Sequence, residues 1–246
     1  MCDRSKPVIM KYHLHTSLLL LFLILIFDGC QLSMDPVTHK WARTTYVTPS
    51  GKITSKDISA DDFTGINIKD LDVELYQDTL NSVTLVGDSS IIALYSADVD
   101  SGGILSVNHK QGTLSFEPIP TKVIIHMIDI DYIRMENNTI IGATPIRTKK
   151  LRMIEISKYA SLSVTCDTLL LDLARDGGNN PPGLSLKGSA GYTWVDLREG
   201  ANLTAPSFKS NSIDILRAPT SVCLMNPANF QSVRYGSKQH IEYDAK

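Results

Sequence analysis

The sequence predicts an all-β chain wound as a parallel β-helix-like solenoid, and three observations carry that prediction. The stretch TWVDLREGANLTA (193–205) reads as strand, turn, strand: Leu197 closes an alternating run, and Leu203 follows six residues later across charged residues and Gly200. The phrase recurs, with Ile156 and Leu162, Ile215 and Val222, and Tyr235 and Ile241 as paired apolar anchors 6, 7 and 6 residues apart. Nothing between Asp61 and Lys246 sustains a helical period beyond about two turns. An ordinary β-sandwich with coincidental spacing is the competing architecture.

Taken from the N-terminus, the first element is a targeting segment. Arg4, Lys6 and Lys11 precede an apolar run from Leu18 to Phe27 that stops at Gly29 and Cys30. The run is too short for a membrane span of about 20 residues and suits a signal-peptide core. A small residue followed by Cys resembles a lipobox, which makes Cys30 the candidate for lipidation and residues 1–30 the signal peptide. Phe27 and Asp28 depart from the usual lipobox, so cleavage by an ordinary signal peptidase is the alternative, and Met10 is a second candidate start. Residues 31–60 are polar, carry two prolines and show no sustained period, which predicts a tether ending in a first strand.

From residue 61 to 246 the text is that of a single β domain. GINIKDLDVELY, NSVTLV, GGILSV, GTLSFEPIP and TKVIIHMIDIDYI alternate or run as short apolar strands. Successive first anchors then step by 17 (156 to 173), 24 (173 to 197), 18 (197 to 215) and 20 (215 to 235). The long step exceeds the others by about five residues, and the excess falls within the turn-prone stretch DGGNNPPG, which reads as a loop insertion. A period near 17 to 20 suits one coil of a solenoid whose turns stack about 4.8 Å apart. No such coil buries its own apolar side, so Ile154 and Ile156, Leu171 and Leu173, Val195 and Leu197, and Ile213 and Ile215 are expected inside as ladders.

That register fixes the expected outer face. Glu155, Asp172, Asp196 and Asp214, closed by Arg234, form a carboxylate ladder, and Met153, Leu170 and Trp194 form an exposed apolar stripe one column over. Lys158, Arg175, Arg198 and Arg217 recur after each strand. They either neutralise the acids in a surface ion-pair ladder or leave them free to meet a cation-dependent or basic partner. Cys166 and Cys223 lie three coils apart, about 14 Å along the stack, beyond the reach of a disulfide.

The segments DDFTGINIKDLDVELYQDTLNSVTLVGDSSIIALYSADVDSGGILSVNHKQG and TKVIIHM, followed by coils that close on VRYGSKQHIEY, resemble the "putative auto-transporter adhesin, head GIN domain" family of bacterial envelope proteins. The resemblance spans about residues 61–246. It implies a right-handed solenoid related in shape to pectin lyases, a lipoprotein signal, an adhesive role and no catalytic residues. The later coils lack most of the Ser-Gly-Ala turns usual there, although KGSAGY keeps a trace of them.

Composition and chemistry narrow the function. With 43% hydrophobic residues and a net charge of -2, the chain has core enough to fold and no basic excess for nucleic acid. No paired Cys or His spacing offers a metal site, and no cofactor motif is present. The acid pairs Asp98 with Asp100 and Asp129 with Asp131 could serve a glycan-active lyase or hydrolase, the alternative function. DVDSGG, however, reads better as a turn. A hexapeptide-repeat acyltransferase fails at Thr168, Lys209 and Pro227, where an aliphatic residue is required. His126, within VIIHMI, reads as a core or strand histidine. The expectation is a non-catalytic envelope protein, lipid-anchored at the outer membrane, that binds a glycan or another envelope protein.

Overall fold

Residues with one apolar and one polar edge form strands with a single dry face, and most segments read as extended are strands. The computed structural model describes residues 30–34, 41–109, 113–115, 120–136, 138–154, 158–174, 183–198, 200–217 and 220–235. The strands begin with β1 (Cys30–Met34), β2 (Trp41–Val47), β3 (Ile53–Ile58), β4 (Gly65–Lys69), β5 (Asp72–Gln77) and β6 (Ser82–Asp88). One helical turn, α1 (Ser89–Ile92), leads to β7 (Tyr95–Val99), β8 (Ile104–His109), β9 (Thr113–Ser115), β10 (Lys122–Met127), β11 (Tyr132–Glu136) and β12 (Thr139–Gly142). The rest is β13 (Ile146–Ile154), β14 (Tyr159–Leu173), β15 (Gly183–Leu197), β16 (Asn202–Ala205), β17 (Lys209–Arg217), β18 (Val222–Met225) and β19 (Phe230–Tyr235).

The chain divides into two units. The first, Met1–Thr48 with Lys110–Pro118, holds a three-stranded sheet in which β2 pairs antiparallel with β1 and parallel with β9. The stretch expected as a polar tether therefore supplies β1 and β2 here and β3 to the second unit. WARTTYV is polar in composition yet rich in aromatic and β-branched residues, which favour a strand. Residues 1–29, where the signal peptide is expected, lie outside the described residues.

The second unit, Pro49–His109 with Ile119–Lys246, is the solenoid. Its strands stack in two files. One file runs β3, β6, β10, β5, β12, β14, β15, β16, β18, and the other runs β7, β8, β4, β11, β13, β14, β15, β17, β19. β14 and β15 belong to both because each turns a corner midway. Alternate residues Ala160 to Cys166 are buried, then Leu169, Leu171 and Leu173, so that Asp167 and Thr168 both face out at the bend. The same break falls at Gly191 and Tyr192, between Ala190 and Thr193.

From β13 onward the coils follow the chain in order. Before that they do not: β8 and β10 stack on one side of β4 and β5, and β11 and β12 on the other. At that end β3 pairs antiparallel with β6 and β7 pairs antiparallel with β8, which blunts the parallel edge of each file. Asp88 ties the end together. Its carboxylate accepts bonds from the amides of Ser50, Gly51 and Ser90 and from the hydroxyls of Ser50 and Ser90.

The interior ladders decide the register. Leu173 pairs with Leu197, and both are fully buried, as expected. The next column runs Met153, Leu171, Val195 and Ile215, all buried, and ends on Tyr235, which the last described strand leaves exposed. Ile215 therefore stacks on Val195 and not on Leu197, a slip of two that keeps the same face inward. At β13 the slip is one residue, and a slip of one inverts the faces: Met153 is buried and Ile154 pairs with Asp172 on the outside. Both are apolar, so alternation could not choose between them; the fixed step of 18 residues to β14 does. The insertion after Leu173 and Ile156 itself fall outside the described residues. Cys166 and Cys223 are buried, are not joined in a disulfide and lie three coils apart along the stack.

Candidate binding face

Outward residues of β13, β14, β15, β17 and β19 stack into two columns on the second file of strands. One runs Arg152, Leu170, Trp194, Asp214, Arg234, and the other Ile154, Asp172, Asp196, Leu216. Leu170 and Trp194 are neighbours on the surface, half-buried by the coils on either side. The expected four-carboxylate ladder is shorter than predicted. Asp172 and Asp196 are adjacent, but Asp214 belongs to the tryptophan column, because β17 is shifted by two residues against the expected register. Glu155 lies outside the described residues, and Met153 is interior and not part of the stripe.

Arg198 answers the two stacked acids. Its Nη2 lies 2.9 Å from Asp172 Oδ2, and its Nε lies 3.7 Å from Asp196 Oδ2. Partial burial, and then the charge of Asp172, raises the Asp196 carboxyl above its ordinary pKa despite the arginine. Asp172 Oδ1 is buried without a hydrogen-bond partner. Of the other cations expected there, Lys158 is exposed, while Arg175 and the side chain of Arg217 lie outside the described residues.

The second cluster surrounds Asp214. The Tyr192 hydroxyl donates to Asp214 Oδ2 at 2.8 Å, and Arg234 Nε donates to Oδ1 at 2.7 Å. Burial first, and Asp214 second, push the Tyr192 hydroxyl pKa up. Beside this cluster Trp194, Asp214, Ile215, Leu216, Arg234 and Tyr235 line a shallow cavity of about 270 Å³. Leu216 and Tyr235 are 37% and 44% exposed, so the apolar rim faces solvent. The sequence marks Tyr235 only as an apolar anchor of its coil, and Tyr192 not at all. Tyr192 lies two residues before Trp194 at the corner, and a search for aromatics flanking each strand would have found it.

Other chemistry-bearing residues fall elsewhere. Asp100 Oδ1 accepts the amides of Gly102 and Ile104, the turn that DVDSGG predicted. Asp129 and Asp131 share a cleft of about 710 Å³ with Arg147, Lys149 and Lys150, a cationic run that sequence reading passed over. Gln77 pins that strand, bonding both the amide and the carbonyl of Arg147. His126 faces outward and is not in the core: it stacks on Tyr76 with ring centroids 4.7 Å apart, its Nδ1 2.9 Å from Asp78 Oδ2. Among the described residues no group of three or more His, Cys, Asp or Glu gathers to hold a metal.

Stacked parallel coils with apolar ladders inside and a patterned outer face define the class: a β-helix-like solenoid. More particularly, the chain belongs to the "Putative auto-transporter adhesin, head GIN domain" family, whose model matches residues 62–222. Solved structures share the fold. A "putative adhesin" from Bacteroides fragilis superposes with a TM-score of 0.61 at 17% identity, covering 80% of this chain and 94% of its own. A "putative adhesin" from Parabacteroides distasonis gives 0.57 at 14% identity, covering 80% and 95%. A "putative lipid binding protein" from the same species gives 0.54 at 12% identity, covering 81% and 95%. No curated protein sequence matches the chain.

Proposed function

We propose that this chain is a non-catalytic binding protein of the cell envelope, an adhesin-type lipoprotein anchored at the outer membrane through Cys30, with the Trp194 face as its contact surface. Membership of an adhesin family supports the class of role, and the names of the structural neighbours agree with it. The observation that carries the contact surface is the pairing Leu170–Trp194–Asp214–Arg234. It sets apolar, aromatic and charged side chains side by side on hydrogen-bonded strands, where they are held in place rather than swinging on a loop. Aromatic and arginine side chains are the residue types that most often carry binding energy.

The anchor and the face are tested separately. Cys30→Ser is expected to move the protein from the membrane pellet to the soluble fraction and to abolish incorporation of labelled palmitate. A mutant that stays in the pellet, with a wild type that takes up no label, would overturn the anchor. Trp194→Ala is expected to lower adhesion of purified protein to immobilised envelope fragments by about tenfold, with the melting temperature within a few degrees of wild type. Unchanged adhesion would remove this face from the role.

A further inference from the structure

We infer that the cavity beside Trp194 holds one neutral hexopyranose unit of a glycan. The inference rests on the reading of this face as the contact surface and adds the chemistry of what it contacts.

A pyranose ring presents two kinds of surface: faces of C–H bonds, and a rim of hydroxyls that each donate and accept. The cavity offers partners for both. Trp194 and Tyr235 supply aromatic surface at its edge, and Leu216 extends the apolar rim. Between them the carboxylate of Asp214 lies bonded to the guanidinium of Arg234, so a strong acceptor and a strong donor stand side by side. That is the arrangement that two neighbouring hydroxyls can bridge.

Neither partner is used up by the bond that joins them. Asp214 accepts one bond at each oxygen, from Tyr192 and from Arg234, and each oxygen keeps a further lone pair. Arg234 donates through Nε and is 69% exposed, which leaves its outer N–H groups facing solvent. The bond from Tyr192 holds the carboxylate before any ligand arrives, which lowers the ordering cost of binding. Trp194, Asp214 and Arg234 come from three successive coils in strict register, so their spacing is set by the sheet at about 4.8 Å per step.

Size and charge select the ligand class. A cavity of about 270 Å³ lies just under the range of about 300 to 1,000 Å³ usual for small-molecule sites, enough for a single ring and not for an extended chain. Among the described side chains beside the cavity, the Asp214–Arg234 pair cancels its own charge and Asp172, Asp196 and Arg198 leave an excess of one carboxylate, with Arg152 two coils away along the Trp194 column, a balance that disfavours an acidic sugar. An acyl chain would have to cover the ion pair without bonding it, at a desolvation cost it could not offset.

The test uses the full chain carrying Trp41→Phe, which leaves Trp194 as the sole tryptophan reporter, since the sequence contains two. It is titrated with gluco-, galacto- and manno-configured disaccharides, with a hexuronic acid, and with dodecanoate. A saturable change in Trp194 emission with at least one neutral sugar is expected, with binding weakened about tenfold or more by Asp214→Asn or Arg234→Gln in calorimetry. Circular dichroism melts identify any variant that fails to fold, and Arg234→Lys, which keeps the charge but not the fork, replaces it. Tighter binding of the uronic acid or of dodecanoate overturns the neutral-sugar assignment. So does the absence of any sugar binding while adhesion to envelope fragments still depends on Trp194, in which case the contact face stands. If adhesion does not depend on Trp194 either, the face is wrong as well.

Discussion

Two aspartates on the same solenoid illustrate opposite uses of a carboxylate. Asp88 is held well below the usual carboxylate range, chiefly by the Ser90 hydroxyl and then by the amide and hydroxyl of Ser50. A depressed folded value means that the stability it adds is complete above about pH 4, near the unfolded value, and is lost as the pH falls toward the folded one. Asp88→Asn should therefore lower the melting temperature at pH 7, with the gap to wild type narrowing on acidification to pH 3; a gap that does not change with pH would deny the carboxylate this role. Asp196 is raised, by burial and then by Asp172, so its ionised form is a penalty that is full at neutral pH and relieved as the pH falls through the folded value. Asp196→Asn should leave the melting temperature at pH 7 unchanged or higher. Arg198→Gln should lower stability by about 1 kcal/mol or less, because it leaves Asp172 and Asp196 facing one another without their counter-charge.

Among the elements, β15 carries the strictest steric demand. Gly188 sits at φ 102° just before the corner, and a Cβ there would be driven into the backbone carbonyl of Val164 on the coil below. At Gly191, three residues on, a Cβ would lie 2.8 Å from the Asp167 carbonyl oxygen. This is the physical content of KGSAGY: two backbones approach one another where the coil bends, and only glycine permits it. Gly188→Ala should cost about 3 kcal/mol or more in urea unfolding, combining the strained φ with a forced shift of the neighbouring coil. A loss under about 1 kcal/mol would mean that the corner relaxes freely. The corner also explains the buried Thr193: its hydroxyl lies 3.0 Å from that of Ser210, which donates to the Ser212 carbonyl, so polar groups inside the bend are satisfied across coils.

Over the whole solenoid, stability is carried from coil to coil, because each coil buries its apolar side only against its neighbours. β14 and β15 are paired along both edges, whereas β18 and β19 each pair with one strand among those described. The far end is closed by the antiparallel strands β3 and β7 and by the Asp88 bonds. Hydrogen exchange should accordingly be slowest in β14 and β15 and fastest in β18 and β19. Equal protection throughout would indicate one all-or-none unit instead of a graded stack.

By itself the sequence determined the class of the fold and much of the coil register. Apolar alternation and the recurring anchor pairs are local properties of the strands, and the five-residue excess falls in a stretch rich in turn-forming residues, so that allowing for it sets Leu173 opposite Leu197, as they pair. It also placed Trp194 and Leu170 side by side on the outside. What it left open were positions where both faces of a strand are apolar, as at Met153 and Ile154, and positions where the length of a turn sets the register, as between β15 and β17. There a slip of one or two residues satisfies the local pattern equally well, and only contact with the next coil separates the choices. The tertiary structure made Met153 part of the core, moved Asp214 out of the carboxylate ladder to stand beside Trp194, and inserted β4 and β5 between coils that come later in the chain. The reason is the same in each case: a strand's alternation says which residues can be buried, while the strand it stacks on decides which of them are.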